Sequence, residues 1–187
     1  MTAIATQPIT LAEFLELPET KPASEYIDGG IFQKPVPKGK HSCLQLKLCN
    51  QINDVTENPK IAYAFPELHC SFGQRSVVPD IAIFSWSRIP FDEEEEVPND
   101  FLLCPDWTIE ILSPKQSSNR LTGNILYCLQ HGCQLGWLLD PDNRSILTFL
   151  PDRSPILLQG NNSLPVLSGI NLELTAAQIF AWLKMGG

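Results

Sequence analysis

No stretch of this chain approaches the roughly 20 apolar residues that a membrane helix requires, although 43% of its 187 residues are hydrophobic. The start, Met1-Thr2-Ala3-Ile4-Ala5, also lacks the basic region and long apolar run of a signal peptide. A cytoplasmic protein with a globular core is expected. The six cysteines, Cys43, Cys49, Cys70, Cys104, Cys128 and Cys133, form no CxxC pair and no Cys/His spacing of the zinc kind. They read as reduced, mostly buried small hydrophobes. Positive charge is scarce: 13 Lys and Arg against 21 Asp and Glu leave a net charge of −8. That argues against holding nucleic acid by a general basic surface, but not against an enzyme that acts on it. Five of the acidic residues sit in one run, Asp92-Glu93-Glu94-Glu95-Glu96, so the rest of the chain carries about −3. Repeats and low-complexity linkers are absent as well, and the length suits a single domain over residues 1–187.

What is present is concentrated in two segments. Val77-Val78-Pro79-Asp80-Ile81-Ala82-Ile83-Phe84 and Trp107-Thr108-Ile109-Glu110-Ile111-Leu112-Ser113-Pro114 each set one carboxylate inside an apolar, β-branched run. An ionised Asp or Glu on a buried strand must find a partner, a hydrogen-bond network or a metal to offset its lost hydration. Two such strands side by side can aim both carboxylates at a common divalent cation, which takes oxygen ligands and activates water for attack on a phosphodiester. Pro79 adds that this point is a strand edge, start or bulge, because it has no ladder donor.

Around these segments the periodicities predict a mixed α/β chain. Residues 1–8 read as an unstructured lead. A short helix follows over Thr10–Leu17, capped by Thr10 with Glu13 and burying Leu11, Phe14 and Leu15. Glu25-Tyr26-Ile27 and Ile31-Phe32-Gln33 form a hairpin turning at Asp28-Gly29-Gly30. A long helix covers His41–Ile52, with Leu44, Leu48 and Ile52 on one stripe. Strands are expected around Ile61–Phe65, Leu68–Phe72, Val77–Phe84 and Trp107–Leu112, with residues 86–105 as a long surface loop. A helix over 117–131 buries Leu121, Ile125, Leu126 and Leu129 and closes at Gly132. Leu135–Leu139 reads as a buried strand, and Ser145–Leu150, Ile156–Leu158 and Leu172–Leu174 as further strands. A last helix spans Ala176–Met185.

The ordered set of motifs resembles the PD-(D/E)xK nuclease superfamily, and within it the Uma-two-type family of restriction-endonuclease-like proteins. The resemblance covers roughly residues 10–150, with 151–187 packed on that core. It is carried by Phe14-Leu15-Glu16-Leu17-Pro18, Glu25-Tyr26-Ile27-Asp28-Gly29-Gly30, His41, Pro79-Asp80, Glu110-Ile111-Leu112-Ser113-Pro114, Tyr127, Gly132 and Trp137-Leu138-Leu139-Asp140-Pro141. It implies a restriction-endonuclease-like α/β (α+β) core, a mixed central sheet flanked by helices, and hydrolysis of DNA phosphodiester bonds with Mg²⁺ or Mn²⁺. The implied metal ligands are Asp80, Glu110 and the Ile111 carbonyl, with Glu25, His41 and Gln45 beside them, and a homodimer suits paired cleavage of a duplex.

One departure qualifies the resemblance. The superfamily lysine belongs two residues after the acidic one, where this chain has Leu112, and relatives that move it to the next helix would place it at Gly123, with an Asp at Asn119. Lys115, Arg120, Lys40 and Lys38 are candidate replacements, Lys115 being nearest to Glu110 in sequence. Two rivals to an active nuclease stand: an inactive nuclease-fold module for binding DNA or protein, favoured by the missing lysine and the acidic balance, and, from the low positive charge, a phosphoesterase acting on something other than long DNA. Asp140 reads as a turn residue, His69 and His131 as structural groups, and the acidic run as a solvated loop.

Overall fold

A computed structural model describes residues 9–114 and 116–186. The expected lead over residues 1–8 and the candidate Lys115 lie outside the described residues. Helix α1 (Leu11–Leu15) carries the Thr10–Glu13 capping box, but only Phe14 of its apolar residues is buried, Leu15 being exposed. The hairpin of β1 (Ser24–Ile27) and β2 (Gly30–Gln33) turns through Asp28 and Gly29, both at positive φ. Two successive left-handed residues make the type I′ geometry that matches the twist of paired strands. Helix α2 (Gly39–Thr56) runs further at both ends than the apolar stripe alone indicates.

The strand expected over Val77–Phe84 is two strands in two different sheets. After β3 (Ala62–Pro66) and β4 (Cys70–Phe72), the chain forms β5 (Arg75–Val77) in a four-stranded sheet of order β2-β1-β5-β4. It leaves that sheet at Val78-Pro79-Asp80 and enters β6 (Ile81–Ser85). With β7 (Trp107–Ile111), β8 (Leu135–Asp140), β9 (Ser145–Phe149) and β10 (Ile156–Gln159), it builds a six-stranded sheet of order β10-β9-β8-β7-β6-β3. Among the described strands only β7 and β8 run parallel, joined by helix α3 (Ser118–Gln130) as the crossover such a pair requires. The expected mixed sheet flanked by helices is present, with the smaller sheet as an addition.

Alternation along β6 and β7 assigns the faces. Ile81, Ile83, Trp107, Ile109 and Ile111 pack with Leu44, Leu48 and Ile52 of α2 and with Ile179 and Phe180 of α4 (Ala176–Ala181). Glu110 takes the opposite face, toward α3. There Leu121 and Ile125 pack on Leu138 and Phe149, while Leu126, expected inside, is exposed. Three further expectations are corrected. Residues 86–105 are not wholly a surface loop, since Ile89, Phe101 and Cys104 are buried with Phe84 and Cys128. Leu172–Leu174 forms no strand, the tail there making a single bridge between Ser163 and Thr175. The last helix stops at Ala181 rather than Met185.

Two glycines give this packing opposite tests. Gly123 lies inside α3, and a Cβ there would meet nothing within 4 Å. Gly136 lies on β8 beneath that helix, where a Cβ would collide with Cγ2 of Ile125. Gly123→Ala is expected to raise the unfolding free energy by about 0.5–1 kcal/mol through helix propensity. Gly136→Ala is expected to lower it by about 1–3 kcal/mol by forcing the helix off the sheet. Urea unfolding of the two variants checks both signs.

Candidate active site

The crossing from β5 to β6 assembles the site. Continuing the β6–β7 register, in which Ile81 faces Ile109, sets Asp80 opposite Glu110 on one face, close enough for their side chains to interact. Both are almost wholly buried, at 2% and 1% exposure. Gln45 of α2 donates from Nε2 to the Asp80 carbonyl at 2.8 Å. Asp80 Oδ2 accepts from the Ile111 amide at 2.7 Å and lies 3.0 Å from His41 Nε2. Asp80 Oδ1 accepts from Lys34 Nζ at 2.6 Å, and the same ammonium donates to the Val78 carbonyl at 2.6 Å.

Pro79 has the local consequence expected of it. The amide of Leu112 bonds to Leu139 on the β8 side, so by strand alternation the amide and carbonyl of Ile111 both turn toward β6. Their ladder partner there would be residue 79. Proline has no N–H to give, so the Ile111 carbonyl is left without its ladder donor while the Ile111 amide turns to Asp80.

Glu25 lies nearby but is fully engaged. Its Oε1 accepts from the Val78 amide at 3.0 Å and from Asn124 Nδ2 at 3.1 Å, and its Oε2 accepts from Arg120 at 3.1 Å. Arg120, a candidate replacement for the missing lysine, is thus committed to Glu25 and lies over the Phe32 ring. Lys40 pairs with Asp142 in solvent at 2.8 Å, and Lys38 is exposed ahead of α2. Asp140 is a turn residue, accepting from the amides of Asp142 and Asn143. His131 packs on Tyr127 and Phe72, and Asp92 accepts the amides of Glu94 and Glu96 within an exposed turn.

Among the described residues, the lysine at the carboxylates is Lys34, which the sequence patterns do not single out. A signal existed. The hairpin register pairs Glu25 with Phe32, and Lys34 bonds back to Ala23, one step beyond the Ser24–Gln33 pair. Alternation therefore sets Glu25, Phe32 and Lys34 on one face of the hairpin, next to whatever Glu25 approaches. Lys34 also lines a cavity of about 600 Å³, with Lys21, Pro22, Val36, Glu67 and His69 among its walls.

Charge is unevenly balanced here. Burial would raise the Asp80 carboxyl, but the Lys34 ammonium and His41 hold it down to about 2. Burial would lower the Lys34 ammonium, and the carboxylates of Asp80, Glu110 and Glu25 raise it instead. For Glu110, burial raises the pKa well above its usual value; the Lys34 ammonium and a hydrogen bond from the Asp80 backbone oppose this, and the Asp80 and Glu25 carboxylates reinforce it. Among the described residues, Glu110 Oε2 is buried without a hydrogen-bond partner. A buried carboxyl with one oxygen left unbonded keeps its proton or takes a cation there.

No three His, Cys, Asp or Glu side chains among the described residues group tightly enough to hold a metal by themselves. The register sets two carboxylates, Asp80 and Glu110, opposite each other, and Pro79 deprives the adjacent Ile111 carbonyl of its ladder donor. That fits Mg²⁺, which keeps several waters and takes one or two carboxylates, with substrate phosphate oxygens completing its shell.

Without metal, Glu110 stabilises the fold only while protonated. Its raised pKa means that this contribution is whole below the unfolded value of 4.5 and is lost as pH rises through the folded value. Glu110→Gln, which cannot ionise, is therefore expected to unfold at a higher temperature than the wild type at pH 8 in EDTA. The gap should close below pH 4.5. Thermal melts across that range check the sign. Asp80 has the opposite dependence, its contribution being present above the unfolded value of 3.8 and lost only as pH falls through about 2.

Residues 11–177 match the model of the Uma2 family, described as "Putative restriction endonuclease". A solved structure is also similar: a crystal structure described as "a putative nuclease belonging to DUF820 from Anabaena variabilis", 52% identical in sequence. The match covers 94% of this chain and 99% of that one, with a TM-score of 0.92. No curated protein matches. With the family pattern spanning nearly all of the described fold and both buried carboxylates inside it, this chain belongs to the Uma2 family of restriction-endonuclease-like proteins.

Proposed function

We propose that this chain is a metal-dependent endonuclease that hydrolyses DNA phosphodiester bonds at Asp80 and Glu110. The observation that carries the reading is the unpartnered, fully buried Glu110 oxygen beside Asp80. A divalent cation there, held by the two carboxylates and the Ile111 carbonyl, would acidify a bound water and offset charge on the scissile phosphate. The chain's own residues do the positioning. The Ile111 amide and His41 fix Asp80 Oδ2, Gln45 fixes the Asp80 backbone, and Glu25 fixes the crossing segment through the Val78 amide. The cavity beside Lys34, whose walls include neither carboxylate, supports approach to the site from the Lys34 side.

Membership of a family described as restriction endonucleases supports DNA as the substrate. Cleavage of both strands calls for a homodimer, whose two-fold axis matches that of the duplex. The six free thiols support a reducing compartment such as the cytoplasm, and no helix among the described residues is long and apolar enough to cross a membrane.

Titration calorimetry with Mn²⁺ and nicking of supercoiled DNA test the reading together. The wild type is expected to bind Mn²⁺ and to cleave with Mg²⁺ or Mn²⁺. Asp80→Asn and Glu110→Gln should each lower cleavage by about a hundredfold or more. Cleavage that survives both substitutions overturns it. A wild-type chain that binds no metal and cuts no form of DNA is instead a binding module on a nuclease fold, a reading favoured by the saturation of Asp80 by Lys34, His41 and Ile111.

A further inference from the structure

The chain lacks a lysine at both places where the resemblance puts one, yet an ammonium reaches the site by another route. We propose that Lys34, from the end of the β1–β2 hairpin, is the phosphate-contacting cation of this site and, when no divalent ion is bound, stands in for that ion on Asp80. The inference rests on the metal-dependent reading above and names a further residue of the same site.

Three observations carry it. First, Lys34 Nζ lies 2.6 Å from Asp80 Oδ1, while among the described lysines and arginines Arg120 is committed to Glu25, Arg75 to Asp28 and Lys40 to Asp142. Second, an ammonium has three N–H donors. Two are engaged, on Asp80 Oδ1 and the Val78 carbonyl, which leaves one for a further acceptor. Third, Lys34 borders the cavity, so that acceptor can come from outside the protein.

The same geometry couples Lys34 to metal binding. Asp80 Oδ1 already accepts a short, charge-assisted bond. A divalent cation approaching that carboxylate meets the ammonium's positive charge and competes for its oxygen. The flexible four-carbon stem of lysine can yield, turning the freed donors toward the phosphate. In the empty site the ammonium screens Asp80 from Glu110; in the loaded site it is released to the substrate.

The test measures metal affinity and cleavage separately. Lys34→Met, its fold checked by circular dichroism, is expected to bind Mn²⁺ about tenfold more tightly than the wild type by calorimetry. It should cleave about a hundredfold more slowly or worse at saturating metal. Lys47→Met, at an exposed position on the outside of α2, should match the wild type in both. A folded Lys34→Met that binds Mn²⁺ no more tightly, or that cleaves within about threefold of the wild type, overturns the proposal.

Should that variant fail to fold, the wild type decides. Acylation of lysines by an active ester, mapped by mass spectrometry, should increase at Lys34 when Mn²⁺ is added, and unchanged labelling overturns the proposal. A wild type that neither binds Mn²⁺ nor cleaves removes the underlying reading instead, which distinguishes the two failures.

Discussion

The structure turns on one short passage of chain, Val78-Pro79-Asp80, that leaves one sheet and enters another. A segment between sheets has no ladder to satisfy its backbone, and buried amides and carbonyls must be paired. Side chains of the hairpin do this: Glu25 accepts the Val78 amide and Lys34 donates to the Val78 carbonyl. Lys34 also meets Asp80, so the small sheet is fastened to the large one by a buried ion pair. Breaking such a pair by removing one partner costs about 3–5 kcal/mol, a large part of the stability of an ordinary domain.

This fastening brings charge into the core faster than it neutralises it. Glu25 is matched by Arg120 and Asp80 by Lys34. Among the described residues Glu110 has no such ion-pair partner, although it sits on a central strand between β6 and β8. Replacing it with an apolar residue would relieve the burial penalty, so its presence is a cost to the resting fold. A cation held between Asp80 and Glu110 would reverse that cost, which ties ligand binding directly to folding stability.

The carboxylates themselves were legible because each interrupts an otherwise apolar β-branched run, a pattern that requires no knowledge of tertiary structure. So were the Thr10–Glu13 cap, the Asp28-Gly29 turn and helix α3, all fixed by local chemistry. The division of Val77–Phe84 was not. Both halves are equally apolar, and which sheet a strand joins is decided by partners far along the chain; Pro79 was its only local mark. Lys34 escaped for a related reason. It meets Asp80 across 46 residues, and at a hairpin end followed by proline it resembles any solvated lysine. Phe101 and Cys104 were hidden by the acidic, proline-rich stretch around them, whose composition describes its exposed half only. Leu15 and Leu126 are the reverse case, apolar residues in helical register that nothing comes to cover.

The two backbone amides that end on site carboxylates have a use of their own. Val78 donates to Glu25 and Ile111 to Asp80, and neither amide belongs to a strand pairing at that bond. Their hydrogen exchange is therefore gated by the integrity of the site rather than by the fraying of a sheet. The molecule carries two built-in reporters, one on Glu25 and one on Asp80, whose protection reads the opening of the cleft directly.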